Sequence, residues 1–93
     1  MIKNIRHKGL KALYQKGKAS GVEQSLLKRL KIRLTVLDSI EKAEDLQAFP
    51  NFRLHALKGN MSGHWSIWVS GNWRLTFRFE NGNVLDLDLM DYH

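Results

Sequence analysis

The sequence predicts an α+β fold in which two N-terminal helices cover one face of an antiparallel sheet of about four strands. Up to about residue 40, apolar residues recur every three or four positions, which is the period of an amphipathic helix. After Pro50 they recur at every second position, which is the period of a strand with one buried face. Because the 93 residues contain one such switch and no linker, we expect a single domain spanning residues 1–93.

The first helix is predicted over Arg6–Lys16. Leu10, Leu13 and Tyr14 mark one apolar face at helical spacing, and polar residues fill the other faces. Gly17 follows directly and suits the left-handed residue that commonly ends a helix. We therefore expect this helix to stop at Gly17.

The second helix is predicted over residues 21–40. Ser20 and Glu23 match the capping box, in which a serine caps the helix and a glutamate three positions later reaches back to the cap. Glu41–Phe49 is predicted as a short helical turn, and Pro50 then breaks the chain. The apolar stripe of the second helix is predicted to be core, and consists of Leu26, Leu27, Leu30, Leu34, Leu37 and Ile40.

Four strands are predicted after Pro50, joined as an antiparallel meander. Asn81-Gly82 is the strongest short signal for a β-hairpin, because both residues tolerate the positive φ angles of a two-residue turn. Met1–Ile5 is a weaker candidate for a short additional strand at the N-terminus. The four segments with alternating apolar residues are Phe52–Ala56, Trp65–Ser70, Trp73–Phe79 and Leu85–Leu89.

Composition excludes several classes of protein. The 43% hydrophobic and 26% charged residues are typical of a soluble globular domain, and no apolar run approaches the roughly 20 residues that span a bilayer. The N-terminus lacks the apolar region of a signal peptide. With no cysteine, the chain has no disulfide, zinc–thiolate site or catalytic thiol, and the absence of disulfides in so small a domain favours the cytosol.

Charge is distributed unevenly along the chain. Residues 1–35 hold ten Lys/Arg and one acid, a charge of +9, whereas residues 36–93 hold five Lys/Arg and eight acids, a charge of −3. Such asymmetry favours a polyanionic partner, and nucleic acid before membrane. The alternative is an ordinary solvated helical surface rich in lysine.

If the apolar parity of the strands packs on the helices, the other parity faces outward. This outward face combines an acid/base candidate, phosphate-binding charge and an aromatic ring on which a base can stack. His55 has the simpler alternative of cross-strand hydrogen bonding. Arg74 and Arg78 have the alternative of pairing with the two aspartates of the next strand, which contributes little at a surface. The outward residues are Arg53, His55, Ser66, Trp68, Arg74, Arg78, Asp86 and Asp88.

The last three residues are Asp91-Tyr92-His93, directly after the last predicted strand. A sheet strand can hold such groups in place, and the alternative is a frayed polar end. Histidine titrates near neutral pH, so His93 and His55 suit the proton transfers of metal-free RNA cleavage. In that reaction a base takes the 2′-OH proton, an acid protonates the departing 5′-oxygen, and cations stabilise the charge on phosphorus.

No cofactor and no metal are expected. His55, Asp91 and His93 are metal-ligating residue types, but no HxH or HExxH spacing accompanies them. The neighbouring arginines would also repel a divalent cation. Serine nucleophiles lack a GxSxG or SxxK context, and the chain contains no glycine-rich phosphate loop.

Several segments together resemble the HigB branch of the RelE/ParE toxin superfamily of bacterial toxin–antitoxin modules. The resemblance spans nearly the whole chain, and the combination of segments is far more specific than the terminal tripeptide alone. The segments are Met1-Ile2-Lys3, His7-Lys8-Gly9-Leu10, Arg53-Leu54-His55-Ala56-Leu57-Lys58-Gly59, Trp65-Ser66-Ile67, Asn72-Trp73-Arg74-Leu75-Thr76-Phe77 and Asp91-Tyr92-His93.

The resemblance implies a compact α+β fold and ribosome-dependent endonucleolytic cleavage of mRNA in the decoding site, which inhibits translation in the bacterial cytoplasm. It also implies neutralisation by a cognate helix-turn-helix antitoxin of the HigA type. The complex of toxin and antitoxin would repress its own operon, so contact with operator DNA would be made only through that complex. No membrane is implied.

Six residues match the active-site positions of the family. In the roles that the resemblance implies, His93 acts as acid or base, Asp91 as its partner or as the base, and Tyr92 orients the nucleotide. Lys58 and Arg74 stabilise the phosphorane. The matching positions are His55, Lys58, Arg74, Asp91, Tyr92 and His93.

Some members carry a further arginine in the turn between the two tryptophan-bearing strands, where this chain has Ser70-Gly71. On this interpretation, Arg78 or Arg53 supplies the missing charge, and the basic helices grip ribosomal RNA. The predicted RNA-binding residues are Arg78, Arg53 and Trp68 on the sheet, with Arg6, Lys8, Lys28 and Arg29 in the basic half of the chain.

Two alternative functions remain open at this point. Members of the same superfamily poison gyrase by binding instead of cutting RNA, so the fold alone does not decide the reaction. A simple basic nucleic-acid-binding module would also account for the +9 half of the chain.

Overall fold

The computed structural model describes residues 1–91, so Tyr92 and His93 lie outside the described part of the chain. Two helices precede a four-stranded sheet in which every neighbouring pair of strands is antiparallel and the order is β1-β2-β3-β4. The prediction of an α+β fold is confirmed. The elements are α1 (Lys8–Lys16), α2 (Leu27–Ser39), β1 (His55–Ala56), β2 (Trp65–Ser70), β3 (Trp73–Glu80) and β4 (Asn83–Asp91).

Helix α1 begins two residues later than predicted because His7 caps it. The His7 Nδ1 atom accepts a hydrogen bond of 3.0 Å from the Leu10 amide, which satisfies one of the unpaired donors of the first turn. Gly17 ends the helix as predicted. It is left-handed with φ of 69°, and its amide donates to the Leu13 carbonyl over 3.0 Å.

The predicted start of the second helix is wrong. Helix α2 begins at Leu27, after a short 3₁₀ turn over Gln24–Leu26, and no side chain caps that turn. Gly21 lies directly against Gly9 at the start of α1, so closely that a Cβ atom on either residue would collide with the backbone of the other. This contact between backbones occupies the segment in which the capping box was expected.

The first predicted strand is much shorter than expected. Pro50–Phe52 forms a 3₁₀ turn, and Arg53 is left-handed with φ of 47°. Strand β1 is therefore reduced to His55–Ala56, and Arg53 lies outside the sheet. The alternating pattern over Phe52–Ala56 indicated the burial of Phe52 correctly but not its conformation.

Strand β4 contains a bulge that reverses its side-chain alternation. Thr76 pairs with Asp88, whereas Arg78 pairs with Leu85, so two residues of β4 lie between these pairs and only one residue of β3. Asp86, inside the bulge, is left-handed with φ of 53°. As a result Val84 is buried and Leu85 faces outward, whereas the predicted alternation placed Leu85 in the core. At the preceding turn, Asn81-Gly82 forms the predicted hairpin, with positive φ at both residues.

The N-terminal segment contacts the far edge of β4 as two isolated parallel bridges, Ile2 with Val84 and Ile5 with Leu87. The side chain of Asn4 holds the bulge. Its Nδ2 atom donates to Asp86 Oδ1 over 2.8 Å, and its Oδ1 atom accepts from the Asp86 amide over 3.0 Å. The short strand considered for Met1–Ile5 is therefore reduced to these bridges.

The core lies between the helices and the inner face of the sheet, so the opposite face of the sheet remains open. Each large aliphatic side chain buried in this way contributes roughly 1.5–3 kcal/mol. Among residues 1–91, no helix is long and apolar enough to cross a membrane. The fully buried side chains include Leu10, Leu30 and Leu37 from the helices and Ile67, Val69, Leu75, Phe77, Val84 and Leu87 from the sheet.

Candidate functional site

The outer face of the sheet brings a row of polar residues together across three strands. His55 of β1 lies opposite Ser66 of β2, and Ser66 lies opposite Thr76 of β3. One register position along, Trp68 lies opposite Arg74. Ser66 and Thr76 are almost completely buried, although they are polar and belong to the outer parity. They form the floor of a depression whose rim is more exposed.

This depression is a cavity of about 230 Å³, which we call the basic cleft. Exposed His55 and Lys58 lie on one side of it and half-buried Arg74 on the other. The Nη1 atom of Arg74 lies 3.5 Å from Ser66 Oγ, which directs the guanidinium across the floor. Three residues singled out from the sequence therefore meet in one place. The lining residues are His55, Ala56, Leu57, Lys58, Ser66, Arg74 and Thr76.

The loop after β1 sets the position of Lys58. The Leu57 amide donates to the His64 carbonyl over 2.8 Å, which closes the loop at its base. Gly59 is left-handed with φ of 69° and opens a 3₁₀ turn over Gly59–Met61. Because a residue with a side chain is strained at such a φ angle, Gly59 allows the chain to turn immediately after Lys58.

Arg78 lies on the same strand and the same face as Arg74 but is paired with carboxylates. Its Nε atom is 2.9 Å from Asp86 Oδ2 and its Nη1 atom is 2.8 Å from Glu80 Oε2. The hydrogen bond to Asp86 is the largest cause of the raised pKa of Arg78. Hydrogen bonds from Asn4, then from Arg78, lower the pKa of Asp86. Of the two alternatives predicted from the sequence, pairing with an aspartate of the next strand is therefore the one that Arg78 adopts.

Trp68 lies on the outer face, and two arginines contact its ring. The guanidinium of Arg53 is 4.5 Å from the centre of the Trp68 ring and that of Arg29 is 5.4 Å away. The Trp68 Nε1 atom donates to the Gly71 carbonyl over 2.9 Å, which fixes the ring. Arg29 also donates to the Val69 carbonyl over 3.0 Å. Cation–π contacts therefore already occupy part of the surface that a nucleobase would use for stacking.

Arg33 of α2 is charged but buried, which the helical spacing of its neighbours does not indicate. It is 4% exposed, and its Nε atom donates to the Trp68 carbonyl over 2.8 Å. Its guanidinium also lies 4.4 Å from the ring of Phe52. Burial, and then the neighbouring charge of Arg29, lower the pKa of Arg33. Strand β1 is too short to pair with Trp68 of β2, and Arg33 supplies the donor for the Trp68 carbonyl instead. The role of Arg33 is therefore structural.

The remaining basic residues predicted to bind RNA are exposed. Lys8 lies on α1 and Lys28 on α2, and both helices cover the inner face of the sheet. Arg6, which is 64% exposed, lies on the outer side near β4, with its Nε atom 3.6 Å from Asp86 Oδ1. Of these three, only Arg6 contacts the outer face.

The predicted terminal group is described only in part. Asp91 is exposed at the end of β4 and lies opposite Trp73. The roles predicted for Tyr92 and His93 fall outside the described residues. Within residues 1–91, no three His, Asp or Glu side chains are grouped so that they could hold a metal ion.

The basic cleft has the chemistry needed to bind and activate a phosphodiester. Lys58 and Arg74 provide two cations, and a guanidinium binds phosphate oxygens in a planar, bidentate geometry. His55 provides an exposed imidazole at the rim. A cavity of about 150 Å³ beside the N-terminal segment also contains two cations, Lys3 and Lys11, but no histidine lines it. The groove between α1 and α2, about 440 Å³, contains Lys31 together with the carboxylate of Asp38.

Two helices on the inner face of an antiparallel sheet and a basic cleft on its outer face are the arrangement expected of RelE-like toxins. Residues 3–93 match the HigB-like toxin family, described as the RelE-like toxin of the type II toxin–antitoxin system HigB. The chain belongs to this family. The resemblance predicted from the sequence is confirmed.

Two relatives match the chain over all or most of its length. Endoribonuclease HigB of Proteus vulgaris is 44% identical over 93 residues, which is 100% of both chains. Toxin HigB-1 of Vibrio cholerae serotype O1 is 31% identical over 91 residues, covering 92% of each chain. As a toxin of a type II system, this protein has an antitoxin as a partner.

Proposed function

We propose that this protein is an endoribonuclease toxin that cuts mRNA on the ribosome and thereby inhibits translation. The observation that carries the proposal is the convergence of His55, Lys58 and Arg74 in the basic cleft. The name of the Proteus relative, an endoribonuclease, supports the same reaction for this chain. The site of cleavage, mRNA on the ribosome, is the part of the proposal that the family resemblance implies.

The reaction is transfer of the phosphoryl group to the neighbouring 2′-oxygen. A base removes the 2′-OH proton, the oxygen attacks phosphorus, and the 5′-oxygen leaves with a proton from an acid, giving a 2′,3′-cyclic phosphate and a 5′-hydroxyl. Lys58 and Arg74 stabilise the charge on the phosphorane. His55, Asp91 and His93 are the proposed proton-transfer groups, and Tyr92 is proposed to orient the nucleotide.

The reaction needs no cofactor on this proposal, because the 2′-OH supplies the nucleophile. For the same reason DNA is not a substrate. Three exposed basic residues are proposed to contact ribosomal RNA, namely Arg6, Lys8 and Lys28. A helix-turn-helix antitoxin of the HigA type is proposed as the neutralising partner, and operator DNA is proposed to bind only the complex of the two proteins.

The test is brief expression in bacteria, followed by mapping of transcript 5′-ends and by cleavage of mRNA on purified ribosomes. We expect new 5′-ends within translated regions and cleavage that requires ribosomes. Lys58→Ala should abolish cleavage. Lys18→Ala is the matched control, because Lys18 is an exposed lysine in the turn after α1.

Three results would contradict the proposal. Intact transcripts together with a DNA-damage response would indicate a toxin that acts by binding gyrase. Full cleavage by both the Lys58→Ala and the His93→Gln variant would contradict the assignment of these residues to the active site. Loss of function only on substitution of helix residues such as Lys28 would indicate a simple nucleic-acid-binding module.

A further inference from the structure

A second cavity of about 320 Å³ adjoins the basic cleft on the outer face of the sheet. The two cavities share one residue, buried Thr76, which forms part of the wall of each. The volume is at the lower end of the range of about 300–1,000 Å³ typical of small-molecule sites. We call it the adjoining pocket. Among its lining residues are Arg6, Met61, His64, Asp86, Asp88 and Met90.

The two cavities differ in the sign of their charge. The basic cleft contains Lys58 and Arg74, whereas the adjoining pocket contains the carboxylates of Asp86 and Asp88 with the single cation Arg6. Anionic phosphate is attracted to the first and repelled by the second. The adjoining pocket therefore suits an uncharged part of a nucleotide, and the part that extends from the backbone is the base.

Asp88 is the acceptor that remains available in this pocket. Asp86 is engaged by Asn4, Arg78 and Arg6. Asp88 Oδ1 accepts a hydrogen bond of 2.9 Å from the Leu89 amide, and Asp88 Oδ2 makes no hydrogen bond to any residue in 1–91. An ionised carboxylate only accepts hydrogen bonds, so its partner must be a donor such as an amino group.

The strand wall around Asp88 complements a base in two further ways. The Thr76 hydroxyl lies 3.5 Å from Met90 Sδ and donates toward it, which directs the hydroxyl proton to the sulfur and leaves the oxygen as a second acceptor. Met61 and Met90 provide polarizable thioethers, which contact aromatic rings favourably.

His64 adds an unmet hydrogen bond in the same wall. Its Nδ1 atom is buried and has no hydrogen-bond partner within the described chain. A buried polar atom of this kind is uncommon in native proteins and calls for a partner. Turning of the imidazole ring when a base enters would provide one.

We propose that the adjoining pocket binds a nucleobase that carries an exocyclic amino group, next to the phosphate that is cut, and that Asp88 selects this base against uracil. The inference rests on the proposed function. Adenine, cytosine and guanine donate an N–H from an amino group, whereas uracil presents carbonyl oxygens on either side of a single ring N–H. Asp88 is thus assigned as a specificity residue of the reaction.

The experiment measures single-turnover cleavage of ribosome-bound mRNA with each of the four bases placed on either side of the cut. At one position we expect amino-bearing bases to be cut about 10–100-fold faster than uracil, the range expected when a site built for a hydrogen bond loses its partner. Asp88→Asn should reduce this preference to within about threefold, because the side-chain NH2 group that replaces Oδ2 cannot accept a hydrogen bond from an amino group.

Asp88→Asn retains an oxygen that can accept from the Leu89 amide, so the bulged strand is expected to fold. Glu44→Gln is the matched control, because Glu44 is exposed and lines neither cavity. This variant should keep the wild-type base preference. A second measurement leaves the protein unchanged. Replacing adenine by purine, which lacks only the amino group, should lower the cleavage rate of the wild-type enzyme about 10–100-fold. The same replacement should change the rate of the Asp88→Asn variant by no more than about threefold.

An unchanged base preference in Asp88→Asn would overturn the assignment, as would an equal loss of rate on all four bases or insensitivity of the wild type to loss of the amino group. These outcomes differ from failure of the proposed function. If the wild-type chain cuts no ribosome-bound mRNA, the nuclease proposal fails; if it cuts all bases alike, only the pocket assignment fails.

Discussion

The two ends of strand β3 place the same side chain in opposite surroundings. Arg74 and Arg78 are four residues apart and point to the same face of the sheet. Arg78 is held by Asp86 and Glu80 at 2.9 and 2.8 Å, whereas no carboxylate within residues 1–91 forms an ion pair with Arg74. Arg74 instead faces Ser66 across the basic cleft. The guanidinium of Arg78 therefore stabilises the fold, whereas that of Arg74 is available for a substrate anion.

The difference originates in the residues that β4 places opposite the two arginines. Met90 lies opposite Arg74 and carries no carboxylate. At the other end of β3, Arg78 lies opposite Leu85, and the neighbouring left-handed Asp86 binds the guanidinium of Arg78. Asn4 also binds Asp86, so the N-terminal segment helps to hold the carboxylate that neutralises Arg78.

The strongest way to break this comparison is Arg74→Ala. If Arg74 stabilises the phosphorane, single-turnover cleavage should fall by about 10²–10³-fold, the usual cost of removing one such donor. The free energy of unfolding should change little, because within residues 1–91 the side chain of Arg74 makes only one long hydrogen bond, of 3.5 Å to Ser66 Oγ. Cleavage within threefold of wild type would contradict the assignment.

A third arginine sharpens the comparison by being buried. Arg33→Met keeps the aliphatic stem but leaves the Trp68 carbonyl without its donor, which should cost about 1–3 kcal/mol of the free energy of unfolding. Urea denaturation measures the loss. Arg29→Met is the control, because Arg29 is exposed and water can replace its bond to the Val69 carbonyl. Equal losses in the two variants would contradict the structural role of burial at Arg33.

His55, Ser66 and Arg74 of the basic cleft are predictable from the sequence because local rules govern them, whereas Lys58 was assigned to the site only through the family resemblance. Alternation along β2 and β3 put Ser66 and Arg74 on one face, and the Asn81-Gly82 turn fixed the hairpin that follows. His55 was assigned to that face although its strand is only two residues long. In each case a period of two or a turn type was sufficient.

The features that escaped prediction depend on contacts between distant parts of the chain. The Asp86 bulge relies on Asn4, and the late start of α2 relies on the contact of Gly21 with Gly9. A pattern of alternating residues carries no information about an inserted residue that is stabilised by the other end of the chain. The burial of Arg33 was missed for the same reason, since a helix period does not reveal an open carbonyl on β2.

Arg78→Ala reverses the expectation for Arg74. Arg78 binds Asp86 in the bulge, so its loss should lower the thermal midpoint modestly while single-turnover cleavage stays within about threefold of wild type. The effect on stability should be limited, because Arg78 is 39% exposed and solvent screens its ion pairs. A large loss of cleavage with an unchanged thermal midpoint would indicate that Arg78 binds RNA, as first predicted from the sequence.

The smallest expected effect is the pH dependence contributed by Asp86. Hydrogen bonds from Asn4 and Arg78 lower its pKa in the folded protein, so the stabilisation is fully present above the ordinary aspartate pKa of about 4 and is lost as the pH falls through the lowered folded value. Asp86→Asn suits the left-handed backbone, because asparagine tolerates that region. It should cost about 1 kcal/mol near pH 7, or roughly 4–8 °C in thermal midpoint.

Because asparagine does not titrate, the midpoints of wild type and Asp86→Asn should converge as the pH is lowered from about 6 to about 2. Thermal unfolding across this range measures the convergence, and Glu44→Gln, which alters an exposed carboxylate in the 3₁₀ turn Ala43–Ala48, controls for effects of net charge. Curves for Asp86→Asn that stay parallel to wild type down to acid pH would mean that the ionised form of Asp86 contributes nothing to stability. The position of Arg78 would then depend on the shape of the bulge and not on the charge of Asp86.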